Sequence, residues 1–211
     1  MSSRIALGAD RDRLALTLAE AFLDDPMVEW LTGDADPATR PGRSIDAFFA
    51  PAIDAAFRCG HTYVAGDFEA VSVWSPPDVE IFGEAEGAAL AGGLAGACGA
   101  DAIDRLLALA ELTQARHPHD EPHFYLFLLG AAVHGRGAGA RAIAPVLDRC
   151  DADGIGAYLE SSSARNISFY ERAGFEVVWE AAPEGGPTFR GMWRRPRTRG
   201  SSASAPASDR A

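Results

Sequence analysis

The chain has 211 residues, 47% of them hydrophobic and 23% charged, the balance of one soluble globular domain with a sizeable core. Its net charge of −11 argues against a nucleic-acid partner, and all 19 basic residues are arginine, which excludes a P-loop, a Schiff base or a lysine general base. No apolar run approaches the ~20 residues of a membrane helix, and no basic region followed by an apolar core opens the chain, so no membrane partner and a cytoplasmic location are expected.

In chain order, Asp10 or Asp12 caps a first helix whose face carries Leu14, Leu18, Ala21 and Phe22. Asp25-Pro26 starts a short helix through Trp30. Ile45, Phe48, Phe49, Ile53, Ala56 and Phe57 fall at helical spacing, predicting an amphipathic helix over 44–58 that Gly60 stops. A hairpin follows, His61 to Ala65 and Glu69 to Trp74 around Gly66-Asp67. Residues 79–100, rich in alanine and glycine, read as a loose helix. Asp101 to Arg116 is helical with Ile103, Leu106, Leu107 and Ala110 inward. After the loop 117–122 comes a long strand, His123 to Val133, then a glycine-rich turn and a helix from Ala140 to Cys150 that Pro145 should kink. Ile155 to Glu160 is a strand joined to the preceding one by a right-handed crossover. Arg165 to Ala173 is a short helix closed by Gly174, and Phe175 to Ala181 and Phe189 to Arg194 form a second hairpin. Residues 1–4 are expected to be flexible, 5–196 to form the domain, and 197–211, without apolar content, to be disordered. Cys59, Cys98 and Cys150 form no CxxC pair and read as reduced thiols.

The turn Gly135-Arg136-Gly137-Ala138-Gly139-Ala140 is the chemical signal. Between a strand and a helix, it brings backbone N–H groups and a helix N-terminus to one point, an arrangement that holds a pyrophosphate. The missing lysine excludes a P-loop. A dinucleotide fold is the rival, with Gly135, Gly137 and Ala140 as GxGxxA and Glu160 closing the next strand. That fold needs further βα units in the parallel sheet, and what remains of the chain reads as a helix and an antiparallel hairpin.

The stretch Leu126 to Ala140, then Tyr158-Leu159-Glu160-Ser161, then Arg165-Asn166-Ile167-Ser168-Phe169-Tyr170-Glu171-Arg172-Ala173-Gly174-Phe175 resembles the cofactor half of the GNAT acetyltransferase superfamily. The RN-x-x-FYER-x-GF string, with Pro145, Glu121-Pro122 and Trp74, resembles the branch containing puromycin N-acetyltransferase. The resemblance implies the GNAT (acyl-CoA N-acyltransferase) fold, an α/β architecture in which a mixed central sheet with one parallel βαβ crossover is flanked by helices. It also implies acetyl-coenzyme A as acetyl donor, with no metal. The pyrophosphate motif Q/R-x-x-G-x-G/A maps onto His134 to Gly139, with His134 where glutamine or arginine is usual. Gly130 to His134 is two residues shorter than in that branch and lacks its proline.

Carried over residue by residue, the resemblance assigns the pyrophosphate to His134, Gly135, Arg136, Gly137, Ala138, Gly139 and Ala140. A backbone N–H near Leu129 or Gly130 polarises the thioester, and Asn166 meets the coenzyme arm. Tyr170 holds the general-acid position. For the base, His123, Tyr125 and Glu160 are candidates; His123 and Tyr125 share one strand face, and Glu160 ends the neighbouring strand. The implied activity is transfer of acetyl to a primary amine of a small molecule, an antibiotic or metabolite, by a monomer or homodimer. A non-catalytic module that binds or senses acyl-coenzyme A is the alternative, suggested by the shorter approach to His134, and an NAD(P)-dependent enzyme is third. The cluster His117, His119, Asp120 and His123 matches no compact metal motif and reads as a solvated loop. Trp30, Phe48, Phe49, Phe57 and Trp74 lie where this fold shapes its acceptor pocket, although helical periodicity already accounts for Phe49 and Phe57.

Overall fold

The computed structural model describes residues 2–33, 38–132 and 135–197. Its strands are β1 (Ser3–Ile5), β2 (His61–Ala65), β3 (Ala70–Ser75), β4 (His123–Ala131), β5 (Gly156–Ser161), β6 (Glu176–Ala181) and β7 (Phe189–Arg194). They form one sheet in the order β1-β2-β3-β4-β5-β7-β6, antiparallel throughout except for the parallel pair β4 and β5. A single parallel pair is what the expected α/β architecture requires, and it removes the dinucleotide reading, which needs a run of parallel strands.

The helices are α1 (Arg11–Ala21), α2 (Pro26–Thr32), α3 (Arg40–Ser44), α4 (Ala50–Ala56), α5 (Glu84–Cys98), α6 (Asp101–Gln114), α7 (Ala138–Asp153) and α8 (Ala164–Ala173). Asp25 caps α2 as expected, its side chain accepting from the Met27 N–H at 2.9 Å. The helix predicted over 44–58 is instead a composite from Arg40 to Cys59. Between α3 and α4 lies a π turn, Ile45–Phe49, in which the Ala50 N–H reaches back to the Ile45 carbonyl. Pro51 accounts for it: proline has no N–H for Ala47 and its ring crowds that carbonyl, which the wider turn relieves. The alanine- and glycine-rich stretch is the regular helix α5, burying only Leu90 and Leu94. Its glycines serve contact: a Cβ on Gly93 would lie 3.2 Å from the carbonyls of Asp46 and Ala47 in the π turn.

Three further expectations are corrected. The chain pairs from Ser3, because β1 lies against β2, so strand structure begins before residue 5. In α6, Leu107 faces solvent at 60% exposure, while Ala102 and Leu112 are the buried residues. Helix α7 starts at Ala138 and runs unbroken through Pro145 to Asp153. The Arg141 carbonyl, which loses its partner at Pro145, accepts from the Ser3 hydroxyl, and the next carbonyl, Ala142, accepts from the Ser72 hydroxyl at 2.7 Å. The sheet thus supplies donors where proline withdraws one.

Two apolar cores lie on opposite faces of the sheet. One gathers Leu14, Leu18, Phe49, Ile53 and Leu94 against Val64, Val71 and Leu128. The other gathers Ile143, Val146, Tyr170 and Phe175 against Phe124, Leu126, Leu159 and Met192. Full burial of each such aliphatic or phenyl side chain stabilises the fold by about 1.5–3 kcal/mol. No helix among the described residues is long and apolar enough to cross a membrane.

Candidate active site

The site begins with an irregularity in β4. Opposite β3 the register passes from Val73–Leu128 to Trp74–Leu126, leaving Phe127 as an extra residue, a β-bulge. Packing records it. Leu126 belongs to the α7–α8 core, but both Phe127 and Leu128 pack toward the α1–α5 core, and Leu129 returns to the α7 side. Where the bulge bends β4, its ladder to β5 stops. The last parallel rung is Leu126–Leu159, although β4 runs on to Ala131 and β5 to Ser161. A wedge therefore opens between two parallel strand ends.

One edge of this wedge is backbone that no strand among the described residues pairs. The Ala132 N–H donates to the Glu69 carbonyl at 3.0 Å, on the β3 side. Strand alternation then gives Gly130 to the same ladder and turns the N–H groups of Leu129 and Ala131 toward the wedge. Gly130 has a different duty. A Cβ there would lie 2.9 Å from both Ala21 Cβ and Leu18 Cδ2, so its absence lets α1 lie against the strand.

Beyond β4, Gly135 (φ +79°) and Gly137 (φ +68°) adopt the left-handed conformation glycine tolerates, and among the described residues no atom outside its chain neighbours lies within 4 Å of where a Gly135 Cβ would stand. Gly137 caps the N-terminus of α7, whose first N–H groups have no helical acceptor. A Cβ on Gly139 would touch the Phe169 ring at 3.4 Å, so this glycine brings α7 close to α8. Arg141 braces the turn, donating to the Arg136 carbonyl at 2.7 Å and pairing with Glu69. Val133 and His134 lie outside the described residues.

Tyr170, on α8, is buried in the same core as Leu126 and Leu159, the last rung of the ladder. Burial, and after it the charge of Asp25, push its phenol up, so it is protonated at neutral pH. Asn166 stands one turn earlier on α8 and is exposed. Asp25 was legible only as a cap. Its carboxylate also accepts from the Ser162 hydroxyl at 2.7 Å, just past β5, and burial raises it above the usual carboxylate range.

On the other face, Tyr125, Tyr158 and Glu160 follow one another on β4 and β5, with His117 against them. The His117 ring stands edge-on to Tyr125 (5.1 Å) and Tyr158 (5.0 Å). Its Nδ1 lies 3.8 Å from a Glu160 oxygen, and its Nε2 lies 3.0 Å from His123 Nε2. The Glu160 carboxylate is buried between the Tyr125 and Tyr158 phenols and His117. Burial first, and then the Glu160 charge, hold both Tyr125 and Tyr158 well above the usual phenol range, which disqualifies Tyr125 as a base. His123 sits at the closed end of the ladder opposite Gly156, with Nδ1 2.8 Å from the Glu121 carbonyl. Among the described residues no group of three or more His, Cys, Asp or Glu is arranged to hold a metal ion.

Comparison with known proteins agrees with this geometry. The model of the acetyltransferase (GNAT) family matches residues 61–175, from β2 to the end of α8. The chain belongs to the GNAT acetyltransferase family. An uncharacterised N-acetyltransferase of Schizosaccharomyces pombe is 26% identical over 186 residues, 83% of this chain and 74% of the relative. Among solved structures, one from Corynebacterium glutamicum, described as histone acetyltransferase HPA2 and related acetyltransferase, has a TM-score of 0.66 at 23% identity, covering 94% of this chain and 98% of its own. Arylalkylamine N-acetyltransferase 2 of Aedes aegypti scores 0.61 at 12% identity, with coverage of 92% and 98%. The Drosophila melanogaster polyamine N-acetyltransferase scores 0.59 at 17% identity, with the same coverage. These structures share the fold.

In this GNAT acetyltransferase the expected residues fall into two groups. Leu129, Gly135 to Ala140, Asn166 and Tyr170 belong to the strand, turn and helices on the α7–α8 side, whereas Glu160 and His123 face the other side. Sequence reading missed Asp25, Ser162 and His117. A proline after Asp25 signalled a cap and nothing more, and His117 read as loop because its partners come from two strands distant in sequence.

Proposed function

We propose that this acetyltransferase moves the acetyl group of acetyl-coenzyme A onto the primary amine of a small molecule. The observation that carries the reading is the wedge between β4 and β5, with a protonated phenol among its neighbours on one face and a buried carboxylate on the other. The chain fits the donor. The Ala131 N–H suits an amide of the pantetheine arm, and the left-handed Gly135 and Gly137, with the helix start behind them, suit a pyrophosphate. Arg136, Ala138, Gly139 and Ala140 complete that cradle, and Asn166 borders the arm.

In the transfer, the amine nitrogen bonds to the acetyl carbon as the carbon–sulfur bond breaks. The Leu129 N–H stabilises the charge that grows on the carbonyl oxygen. Glu160 accepts the proton the amine gives up, and Tyr170 supplies one to the departing thiolate. His123 stands behind Glu160 rather than at the reacting atoms. Tyr125, Phe127, Phe48 and Phe82 pack edge-on or tilted along the acceptor face, with Phe127 5.4 Å from Phe82 and 6.4 Å from Phe48. An aromatic wall beside the Glu160 carboxylate on a chain of net charge −11 suits a cationic amine with an apolar body. The solved relatives named for arylalkylamines and polyamines supply test acceptors, as does an aminonucleoside antibiotic, the choice the puromycin N-acetyltransferase resemblance suggests.

The test pairs thermal stabilisation with thiol release across that panel. Stabilisation by acetyl-coenzyme A but not by NAD, with thiol released by at least one amine, is expected. Stabilisation by NAD alone, or coenzyme binding without thiol release from any amine, overturns the reading.

A further inference from the structure

The row His123, His117, Glu160 contains an unresolved proton. Burial holds the His123 imidazole below its usual range, so it is neutral at neutral pH. Its Nδ1 faces the Glu121 carbonyl at 2.8 Å, and a carbonyl only accepts, so the proton of His123 is on Nδ1. His123 Nε2 is then a bare acceptor, and the nitrogen 3.0 Å from it, His117 Nε2, must carry a proton. A neutral His117 consequently turns a bare Nδ1 toward Glu160, 3.8 Å away. Two sets of lone pairs face each other across a gap that one proton would close. The Tyr125 and Tyr158 phenols, which stay protonated, are the other close neighbours of Glu160, and only 5% of the Glu160 side chain is exposed, against 27% for His117.

We infer that Glu160 and His117 form a proton exit for the transfer reaction, Glu160 taking the proton from the acceptor amine and His117, braced by His123, passing it to solvent. This rests on the acetyl-transfer reading. Glu160 is the first residue of β5 beyond the last rung of the ladder and so borders the wedge, but it is buried. Each turnover leaves a proton there, and the next cannot start until it is gone. His117 is the partly exposed neighbour with a free lone pair aimed at it. The proton moves from the amine nitrogen to the carboxylate, from the carboxylate to His117 Nδ1, and from there to water, with no other bond changed. The titratable groups around His117 are His123 and Tyr125 from β4, Tyr158 and Glu160 from β5, and His119 from its own loop. Both phenols stay protonated, because burial and the Glu160 charge raise them. His117 is a positioning and relay residue that acts through Glu160.

Two measurements test it. In steady-state kinetics His117→Gln should lower kcat by about tenfold or more with the KM for acetyl-coenzyme A unchanged, and move the acidic limb of the pH–rate profile, since no imidazole is left to share the proton. In His117→Ala, added imidazole should restore kcat. An unmoved limb in His117→Gln, or a loss in His117→Ala that imidazole does not repair, overturns the relay. The second measurement needs no turnover. Side-chain nitrogen NMR of the unliganded protein should find His123 protonated on Nδ1, and Glu160→Gln should alter the protonation pattern of His117 Nδ1. No change in His117 on Glu160→Gln overturns the shared proton. If wild-type protein acetylates no amine while the NMR result holds, the transfer reading fails and the coupling stands.

Discussion

Tyr170 and Asp25 form one electrostatic unit, and substitutions separate its parts. The phenol is kept protonated by burial and by the neighbouring Asp25 charge, the form a proton donor must hold. Tyr170→Phe should lower turnover at least about tenfold, about 1.4 kcal/mol on the barrier, with the affinity for acetyl-coenzyme A kept; stopped assays and a binding titration check both halves. Unchanged turnover would remove Tyr170 from the chemistry. Asp25 carries a stability signature of its own. Burial raises its carboxyl above the 3.8 of an ordinary aspartate, so the native chain holds this proton where the unfolded chain has lost it. Its contribution to stability therefore falls as pH rises from about 3.8 through the raised native value. Asp25→Asn keeps the cap to Met27 and removes the charge, so it should gain on the wild type between acid and neutral pH. Asp25→Ala loses the cap as well and should cost about 1 kcal/mol at any pH. Urea melts across that range distinguish the two.

At the scale of elements, the last turn of α7 clamps the C-terminal half. Asp151 accepts two hydrogen bonds from Arg194 on β7, both at 2.8 Å, and one from the Arg197 N–H at 2.6 Å, while Arg194 Nε donates to the last carbonyl of α8 at 3.0 Å. Arg194 is buried, so Asp151→Ala would strand a buried charge and should cost about 3–5 kcal/mol. The Arg194 hydrogen bonds hold the Asp151 carboxyl below the usual range, so its contribution is fully present above pH 3.8 and is lost as pH falls through the lowered native value. A denaturant melt of Asp151→Ala that matches wild type at pH 7 would refute the clamp. These elements were also the legible ones. Strands β2 and β7 fall where alternation and turn residues put them, because each is bounded by glycine or proline and half-covered. The bulge at Phe127 was not legible, since Tyr125 to Ala131 is apolar almost throughout and an extra residue leaves no break in such a run. Strand β1 is too short for any period to register. The glycines of α5 hid its periodicity, because contact there is made by absent side chains. The α8 candidate Tyr170 stands in a contiguous string, whereas the row of His117 and Glu160 depends on how the loop before β4 folds back onto two strands, which no local pattern encodes.

Seen as a whole, the molecule is two cores on opposite faces of one sheet, and the parallel rungs from His123–Gly156 to Leu126–Leu159 join its N-terminal and C-terminal strands. A donor seated in the wedge would touch β4, the turn and α8 together and so complete the sheet where its ladder ends. Anything that binds only the native state stabilises it by mass action, about 2.7 kcal/mol at a hundred times its dissociation constant. The same geometry dictates where protection should appear. The N–H groups of Leu129 and Ala131 face the wedge, that of Gly130 lies in the β3 ladder, and those at the start of α7 have no helical acceptor. In the free protein, amide hydrogen exchange should be fast at Leu129, Ala131 and Ala138 to Ala140 and slow at Gly130. Acetyl-coenzyme A should slow the fast set and leave Gly130 as it was. Protection of Gly130 alone, or none at the helix start, would mean that the donor does not lie along this edge.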